Sequence, residues 1–462
     1  MLTFLKQNTT QRRELILTGA MTPTILMLSV PALLMGLVQA AIPIVDGLFI
    51  NNIVGTIAAS AVHYCAPIVG MFGALAQGLS VAGMAIIGQA NGKGNFADAR
   101  RISTQITVIS FLAGVIMIPM LIAASYPVSR LVNAEIAGDV FIYLTLNALI
   151  LPFSFIGAIY NAIRNAGGRP EDPFIRMIIM LGLKIVFNAL FIAVLKGGIT
   201  GAVLASLASN VCICVWMYEE LFIKKGSDRL TLKRFRFDRQ ILREIAQIAF
   251  PSILSSLILN LGFFLINNEV QKYGASVLTG AGIASSISNI GFLLPSAFGA
   301  AVTTLVSMNI GAGREDRARS ACRQGCIVSS ITSVILIILV VPLSPRMTIL
   351  FTRQAEVLTV ANTALSIYFY AILGFGICMV LQGAFIGLGR TRVTVVISIL
   401  RVWLLRYVFI LITERYLGYQ AVFWGSLFSN YATALITVLM ILKVRWVSVI
   451  PFRKMEKTPA EE

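Results

Sequence analysis

A lysine interrupts a segment of the sequence that is otherwise apolar enough to cross a membrane. The stretch MIIMLGLKIVFNALFIAVL, residues 177–195, has Lys184 near its middle. An unpaired charge at this depth costs at least about 2.5–3.5 kcal/mol, so a partner of opposite charge is expected. Asp46 is the only carboxylate that the predicted spans place well inside the first half of the chain. We predict an ion pair between Lys184 and Asp46, formed directly or through Asn188 or water.

Two roles are compatible with this pair. In the first role, protonation of Asp46 breaks the pair and leaves Lys184 free to move or deprotonate, which would couple the site to a proton. In the second role, the pair only holds two helices together. Intramembrane ionisable residues are functional candidates by default, which favours the first role.

The elements that position these residues are membrane-spanning helices. The chain has 462 residues, of which 57% are hydrophobic and 12% charged, and its mean hydropathy is +0.86. Apolar runs long enough to cross about 30 Å of hydrocarbon recur from end to end. We predict an all-α polytopic membrane protein without a cleavable signal peptide. Its twelve spans are 24–50, 55–78, 102–124, 138–161, 174–194, 198–222, 245–267, 277–305, 322–343, 360–385, 394–413 and 419–442.

The net charge of +17 is distributed by topology and does not indicate nucleic-acid binding. If the N-terminus is cytoplasmic, 28 Lys and Arg residues fall on the inside and 6 on the outside. This asymmetry follows the positive-inside rule and predicts that both termini are cytoplasmic. Anionic lipid headgroups are the expected partners of the basic loops. The six cysteines and the single His63 suggest neither a disulfide framework nor a metal site, so no metal or cofactor is expected.

The two halves of the chain share short motifs at offsets of 219–221 residues. SLASN at 206–210 returns as SLFSN at 426–430, and NAGGRP at 165–170 as IGLGRT at 386–391. Two further pairs are GQANGKGN with MNIGAGRE and VPAL with FPSI. A duplicated six-helix unit is typical of secondary transporters with parallel repeats, whose substrate binds between the halves. The predicted domains are an N-lobe (1–223), a basic linker (224–244), a C-lobe (245–443) and a cytoplasmic tail (444–462).

Other function classes lack their motifs. No phosphate-binding G-x-x-x-x-G-K-[ST] sequence is present, which argues against ATP-driven pumping by this chain alone. The H-E-x-x-H and G-x-S-x-G motifs are also absent, and one histidine supports little catalysis, so an enzyme is not expected. Duplicated lobes without a filter-like motif disfavour a channel.

Several motifs resemble the multidrug and toxic compound extrusion (MATE) family. They are PIVDGLFINNIVGTIAASAV, GMAIIGQANGKGNFADARR, SMNIGAGREDRARS and KIVFNALFIAVLKGGITGAVLAS, and the resemblance covers essentially the whole chain. It implies a V-shaped pair of six-helix lobes that exports organic compounds in exchange for Na⁺ or H⁺. The chain is expected to act as a monomer.

The resemblance also implies a cation site in the N-lobe. The family's first-helix aspartate matches Asp46, its fourth-helix asparagine Asn161 and its sixth-helix threonine Ser206. The fifth helix of the family usually carries an asparagine and then an aspartate, where this sequence has Lys184 and Asn188. The site thus loses one carboxylate and gains an ammonium group in the place of a bound Na⁺, which favours H⁺ over Na⁺. The predicted coupling residues are Asp46, Lys184 and Asn188.

The substrate cavity is predicted from polar residues inside the spans. Glu269 falls near the outer end of the seventh span, where water is expected to solvate it, and Arg401 is compatible with either the inner interface or the cavity. Asn210 and Asn430 occupy equivalent repeat positions and either bind ligand or join helices. The cavity candidates are Gln39, Asn161, Met177, Ser206, Asn210, Asn260, Arg406 and Asn430.

Three cations inside spans against one carboxylate leave the charge of the substrate open. The leading hypothesis is an exporter of small organic compounds driven by an ion gradient. The alternative is a flippase or exporter of anionic or lipid-linked substrates, because a basic cavity suits phosphate groups.

Overall fold

The computed structural model describes residues 9–130, 132, 134–224, 229–232, 235–349 and 354–448, and every regular element within them is helical. The first half contains α1 (Thr9–Thr18), α2 (Met21–Phe49), α3 (Thr56–Lys93), α4 (Phe96–Arg130), α5 (Ala134–Ala148), α6 (Leu151–Ala166), α7 (Glu171–Asn188) and α8 (Gly198–Tyr218). The second half contains α9 (Arg239–Gln271), α10 (Ala275–Gly311), α11 (Glu315–Ile349), α12 (Ala355–Gly387), α13 (Thr391–Ser398), α14 (Val408–Leu417) and α15 (Gln420–Leu442). Four π-helical segments continue these helices: Ile50–Val54, Ala189–Val194, Glu219–Ile223 and Ile399–Tyr407.

The predicted membrane fold is confirmed. Among the described residues, 11 helical segments are long and apolar enough to span a bilayer, and α5 with α6 makes a twelfth when the bent pair is counted as one span. The 52° bend between α5 and α6 precedes Pro152, which stands in the first turn of α6. Proline lacks the N–H donor that would continue the backbone hydrogen bonds of α5, so a new helix begins there.

Some helices are longer than the spans predicted for them. The span 55–78 belongs to α3, which has 38 residues and ends only at Lys93. At 1.5 Å per residue this helix is about 57 Å long, well beyond a hydrocarbon layer of about 30 Å. Hydropathy locates only the part of a helix that lies in lipid, so the continuation of α3 from residue 79 to Lys93 escaped it.

The internal repeat is visible in the backbone of the described residues. Eight glycines have positive φ, and each one in the first half has a counterpart 219–221 residues later. The pairs are Gly55 with Gly274, Gly94 with Gly313, Gly168 with Gly389, and Gly198 with Gly418. Glycine adopts this left-handed region without a Cβ clash, so each glycine terminates or begins a helix at the same point of the repeat. The exact domain boundaries stay a prediction.

The two lobes pack through glycines of α3 and α10. A Cβ atom on Gly92 would lie 2.0 Å from the carbonyl oxygen of Met308, and one on Gly311 would lie 2.0 Å from that of Gln89. Gln89 also donates a hydrogen bond from Nε2 to the Gly387 carbonyl at 2.7 Å. These reciprocal contacts form a seam, here called the α3–α10 seam, at the end of the molecule that the charge distribution predicts to be cytoplasmic.

Helix α1, which precedes the first predicted span, packs against this seam. The fully buried side chain of Arg12 forms an ion pair with Glu171 and donates to the Gly168 carbonyl at 3.1 Å. From the other lobe, Arg317 donates to the Gly19 carbonyl at 2.7 Å. Helix α1 therefore bridges the two lobes.

Candidate functional site

The N-lobe candidates meet at the ends of three helices. Asp46 lies in the last turn of α2, Lys184 and Asn188 lie in the last two turns of α7, and Ser206 lies in the middle of α8. Both α2 and α7 continue into π-helical segments immediately after these residues. π-helical turns are rare and concentrate at functional sites.

The predicted contact between Lys184 and Asp46 is present and is direct. Lys184 donates from Nζ to Oδ2 of Asp46 at 2.6 Å and to the hydroxyl of Ser206 at 2.6 Å. Asn188 donates from Nδ2 to the other carboxylate oxygen, Oδ1, at 2.7 Å. The Ser206 hydroxyl in turn donates to the Ala202 carbonyl at 3.0 Å. Each acceptor and donor of the pair therefore has a partner, as a buried charge requires.

The pair is buried on one side only. Lys184 is 4% exposed and Asn188 is 1% exposed. The side chain of Asp46 retains 25% of its surface accessible. The carboxylate is therefore partly accessible from outside the protein, while the ammonium group is enclosed.

The remaining N-lobe candidates do not form one cluster with this pair. Gln39 is exposed, and Met177 accepts from Arg176. The Oδ1 atom of Asn161 is buried and has no hydrogen-bond partner among the described residues. Asn210 donates to the Ser206 carbonyl at 2.9 Å, and its repeat equivalent Asn430 makes the same bond to Ser426 at 2.9 Å. Both asparagines thus brace their own helices.

A large cavity lies in the C-lobe. Its volume is about 1050 Å³, and Arg406 and Asn430 line it, as does Asn289. Asn260 is exposed and is not among the described lining residues, whereas its neighbour Leu259 is. Neighbouring residues of an α-helix point in directions about 100° apart, so position along the span did not reveal which of the two residues faces the cavity. The Asn267 side chain lies outside the described residues.

The structure bears on two residues whose surroundings were open or differently expected. Of the two environments considered for Arg401, it shows the cavity, whose wall includes this residue at 7% exposure. Glu269 is 6% exposed and is not solvated. It is shielded because it forms an ion pair with Lys272 and accepts a hydrogen bond from Tyr407 at 3.4 Å.

The residues that follow α9 make a second contact with another helix, and Lys272 and Tyr273 are here called the rim. Tyr273 donates to Oε1 of Glu414 at 2.8 Å. Burial, together with this hydrogen bond, raises the pKa of Tyr273 to about 12. The hydrogen bond from Lys272 to Glu269 raises the pKa of that ammonium group. These raised pKa values keep Tyr273 neutral and Lys272 charged at neutral pH.

Sequence reasoning missed a polar network at the other end of the N-lobe. Arg164 forms ion pairs with Asp172 at 3.5 Å and Glu220 at 3.1 Å, and Tyr160 donates to Glu220. The signal was the charged stretch RNAGGRPED at 164–172, which ordinary loop composition explains equally well. Only the fold brings Glu220 to it.

Comparisons with known proteins agree with this architecture. The MatE family model matches residues 31–190 and 251–412. The multidrug export protein MepA of Staphylococcus saprophyticus is 22% identical over 422 residues, covering 90% of this chain and 92% of that protein. The probable multidrug resistance protein YpnP of Bacillus subtilis is 24% identical over 435 residues, covering 90% and 95%.

A solved structure has the same fold. It is the outward-facing conformation of a multidrug resistance MATE family transporter of the MOP superfamily. The TM-score is 0.86 with 22% sequence identity, over 92% of this chain and 96% of that chain. The family match covers both repeats and more than half of the chain, which confirms the resemblance seen in the sequence. The chain belongs to the MatE family of multi-pass membrane transporters and is not an enzyme.

Proposed function

We propose that this chain is a secondary antiporter that exports small organic compounds across the cell membrane and uses protons as the coupling ion. The carrying observation is the contact of Lys184 with Asp46 and Ser206, because a tethered ammonium group then lies beside the carboxylate that the sequence predicts well inside the N-lobe. The printed names of the relatives MepA and YpnP, which refer to multidrug export and resistance, support a role in drug export.

The proposed coupling step is the protonation of Asp46. A neutral carboxyl group no longer attracts the ammonium of Lys184. Asn188 still bonds to Asp46, and Ser206 still accepts from Lys184, so both groups keep a hydrogen-bond partner. The loosened contact lets α2 and α7 move apart, which favours the opposite access state. A Na⁺ ion is disfavoured because it would have to displace the ammonium group of Lys184 from Asp46.

The test is uptake of ethidium and of radiolabelled 1-naphthaleneacetate into everted membrane vesicles under separately imposed pH and Na⁺ gradients. We expect a pH gradient to drive uptake of at least one probe without Na⁺. Asp46→Asn and Lys184→Asn are expected to lower uptake by about ten-fold or more, because each removes a charge-assisted hydrogen bond. Asp139→Asn, a carboxylate at the outer end of the same lobe, is the control and should transport normally.

Three outcomes would contradict the proposal. A strict requirement for Na⁺ would refute proton coupling. Full transport by both Asp46→Asn and Lys184→Asn would leave the ion pair only a structural role. Absence of uptake of either probe in vesicles that contain folded protein would argue against export of small organic compounds.

The orientation of the chain belongs to the same proposal. We infer that both termini are cytoplasmic, because 28 of the 37 basic residues then fall on the inside. Reporter fusions to either end that are active only in the cytoplasm test this orientation. A monomer is expected, and the mass of the protein in detergent measures it.

A second candidate function is a flippase or exporter of anionic or lipid-linked substrates. The observation that favours it is the cavity lined by Arg401 and Arg406. Loss of such a flippase should damage the cell envelope, whereas loss of a drug exporter should instead raise the accumulation of dyes.

A further inference from the structure

Two cationic side chains, Arg401 and Arg406, line the C-lobe cavity. The described lining residues include no Asp or Glu. The titratable groups that act on the charge of Arg406 are Tyr368, which favours it, and the guanidinium of Arg401, which repels it. Glu269 forms an ion pair with Lys272 at the rim and so does not neutralise the two arginines. The cavity is therefore an electropositive chamber within the lobe.

The repeat shows what is missing from this chamber. Lys184 stands sixteen residues after Gly168, and Arg406 stands seventeen residues after Gly389, with a π-helical segment at Ile399–Tyr407 to accommodate the extra residue. Both lobes therefore carry a cation at nearly the same place on the fifth helix of their repeat.

The carboxylate has no such counterpart. Asp46 lies nine residues before Gly55, and the residue nine before Gly274 is Leu265. The serine that accepts from Lys184 is retained, since Ser206 corresponds to Ser426, which lines the cavity. The C-lobe thus preserves the cation and the hydroxyl of the N-lobe site but lacks its anion.

Hydrogen-bond donors of both arginines are unused. The Nη1 atom of Arg401 and the Nε atom of Arg406 are buried and have no partner among the described residues. A buried charged donor without a partner is costly, and a ligand that accepts from it recovers that free energy. Planar guanidinium groups match carboxylate, sulfonate and phosphate oxygens better than they match neutral groups.

The wall also contains aromatic and aliphatic side chains, which suit an apolar ligand body. The guanidinium carbon of Arg401 lies 5.4 Å from the ring centre of Phe375, and that of Arg406 lies 5.7 Å from that of Phe263. The volume of about 1050 Å³ is at the upper end of the range for small-molecule sites. We propose that this cavity binds an organic anion with an aromatic or apolar body, whose acidic group takes in the C-lobe the place that Asp46 takes in the N-lobe.

This proposal names a substrate class for the exporter proposed above and in that sense rests on it, but its test needs no gradient. Binding of 1-naphthaleneacetate and of the uncharged 1-naphthaleneacetamide to the purified full-length protein in detergent is measured by calorimetry. We expect the acid to bind at least about ten-fold more tightly than the amide, because charge-assisted hydrogen bonds are the stronger ones. Equal affinity of the two probes would overturn the proposal.

Variants then locate the binding site. Arg401→Gln and Arg406→Gln should each weaken binding of the acid by about ten-fold or more while changing that of the amide little. Arg406→Lys, which keeps the charge but loses the planar fork, should lie between Arg406→Gln and the unaltered protein. Arg392→Gln, an exposed arginine one helical segment earlier, is the matched control. The proposal would be overturned if Arg401→Gln and Arg406→Gln bound the acid as tightly as this control does. All of these proteins must elute as folded particles for the comparison to count.

The same assay distinguishes the sources of the anion. Phosphatidylglycerol that displaces the acid, where phosphatidylcholine does not, assigns the site to an anionic lipid headgroup. No displacement by either lipid assigns it to a soluble organic anion, and both results support an anion site. Failure of the proposed function would instead appear as normal transport by Asp46→Asn and Lys184→Asn, with acid binding unchanged.

Discussion

At the scale of single residues, the positions of partners explain why a lysine is tolerated so deep in the N-lobe. Lys184 donates to a carboxylate and a hydroxyl, and Asn188 occupies the second oxygen of Asp46. Removing one partner of such a pair leaves an uncompensated buried charge, which costs more than the intact pair contributes. The energetic signature of the site is therefore coupling between its members.

A double-mutant cycle measures this coupling. Lys184→Met leaves Asp46 without its cation, and Asp46→Asn leaves Lys184 without its anion. Each single variant should lose about 3 kcal/mol of stability, the lower end of the range for buried pairs because Asp46 is 25% exposed. The double variant should lose clearly less than the sum of the two, as interacting sites do. Unfolding in detergent provides the measurement, and additive losses would show that the groups do not interact.

The sequence predicts this pair because it offers few charged residues inside the first six spans. One lysine and one carboxylate fall deep within the first six spans, and a charge in lipid must find a counter-charge. The same reasoning was wrong for Glu269 and left Arg401 undecided, since depth along a helix does not determine which neighbour shields a side chain. Burial of Glu269 depends on Tyr407, which is 138 residues away in the chain.

At the scale of elements, glycines determine how closely α3 and α10 approach. Gly92 and Gly311 face the backbone carbonyls of Met308 and Gln89 at distances that leave no room for a Cβ atom. Small residues at such crossings let membrane helices pack backbone to backbone. Because the contact is reciprocal, the seam needs a glycine at both positions in order to close.

A methyl group at this seam should therefore impair the transport cycle. Gly92→Ala forces a backbone shift that costs the closed arrangement about 1–3 kcal/mol, typical of overpacking. Gly70→Ala on the same helix is the control, because a Cβ there meets no atom within 4 Å. We expect uptake in everted vesicles to fall by about ten-fold in Gly92→Ala and to persist in Gly70→Ala. Normal transport by Gly92→Ala would mean that the close approach is dispensable.

At the scale of the whole molecule, α1 joins the lobes on the side of the seam. Arg13 of α1 donates to the Gly92 carbonyl at 2.8 Å, and Arg314 of the C-lobe donates to the Leu17 carbonyl at 2.8 Å. Opening the seam requires at least one of these sets of bonds to break. Helix α1 therefore stabilises the arrangement in which this end of the molecule is closed.

Weakening the α1 contacts should open the seam more often. Arg317→Ala removes the hydrogen bond to the Gly19 carbonyl, whereas Arg319→Ala removes an exposed arginine of the same helix. Maleimide labelling of Ser307→Cys, a fully buried position in the seam, reports the opening when the six native cysteines are replaced. We expect several-fold faster labelling with Arg317→Ala than with Arg319→Ala. Equal rates would show that α1 does not restrain the seam.

The sequence by itself determined the membrane class, the twelve spans, the duplicated lobes and the pairing of Lys184 with Asp46. These conclusions rest on local or nearly local constraints: hydropathy over a span, spacing along a repeat and the cost of a lone charge in lipid.

Tertiary structure alone decided that Arg401 joins Arg406 in one cavity, that Glu269 is shielded and that a polar-looking N-terminus becomes a helix between the lobes. Each of these depends on the rotation of a helix about its axis and on contacts between residues that are distant in the sequence. Packing against neighbouring helices sets that rotation, so the residues of one helix do not encode it alone.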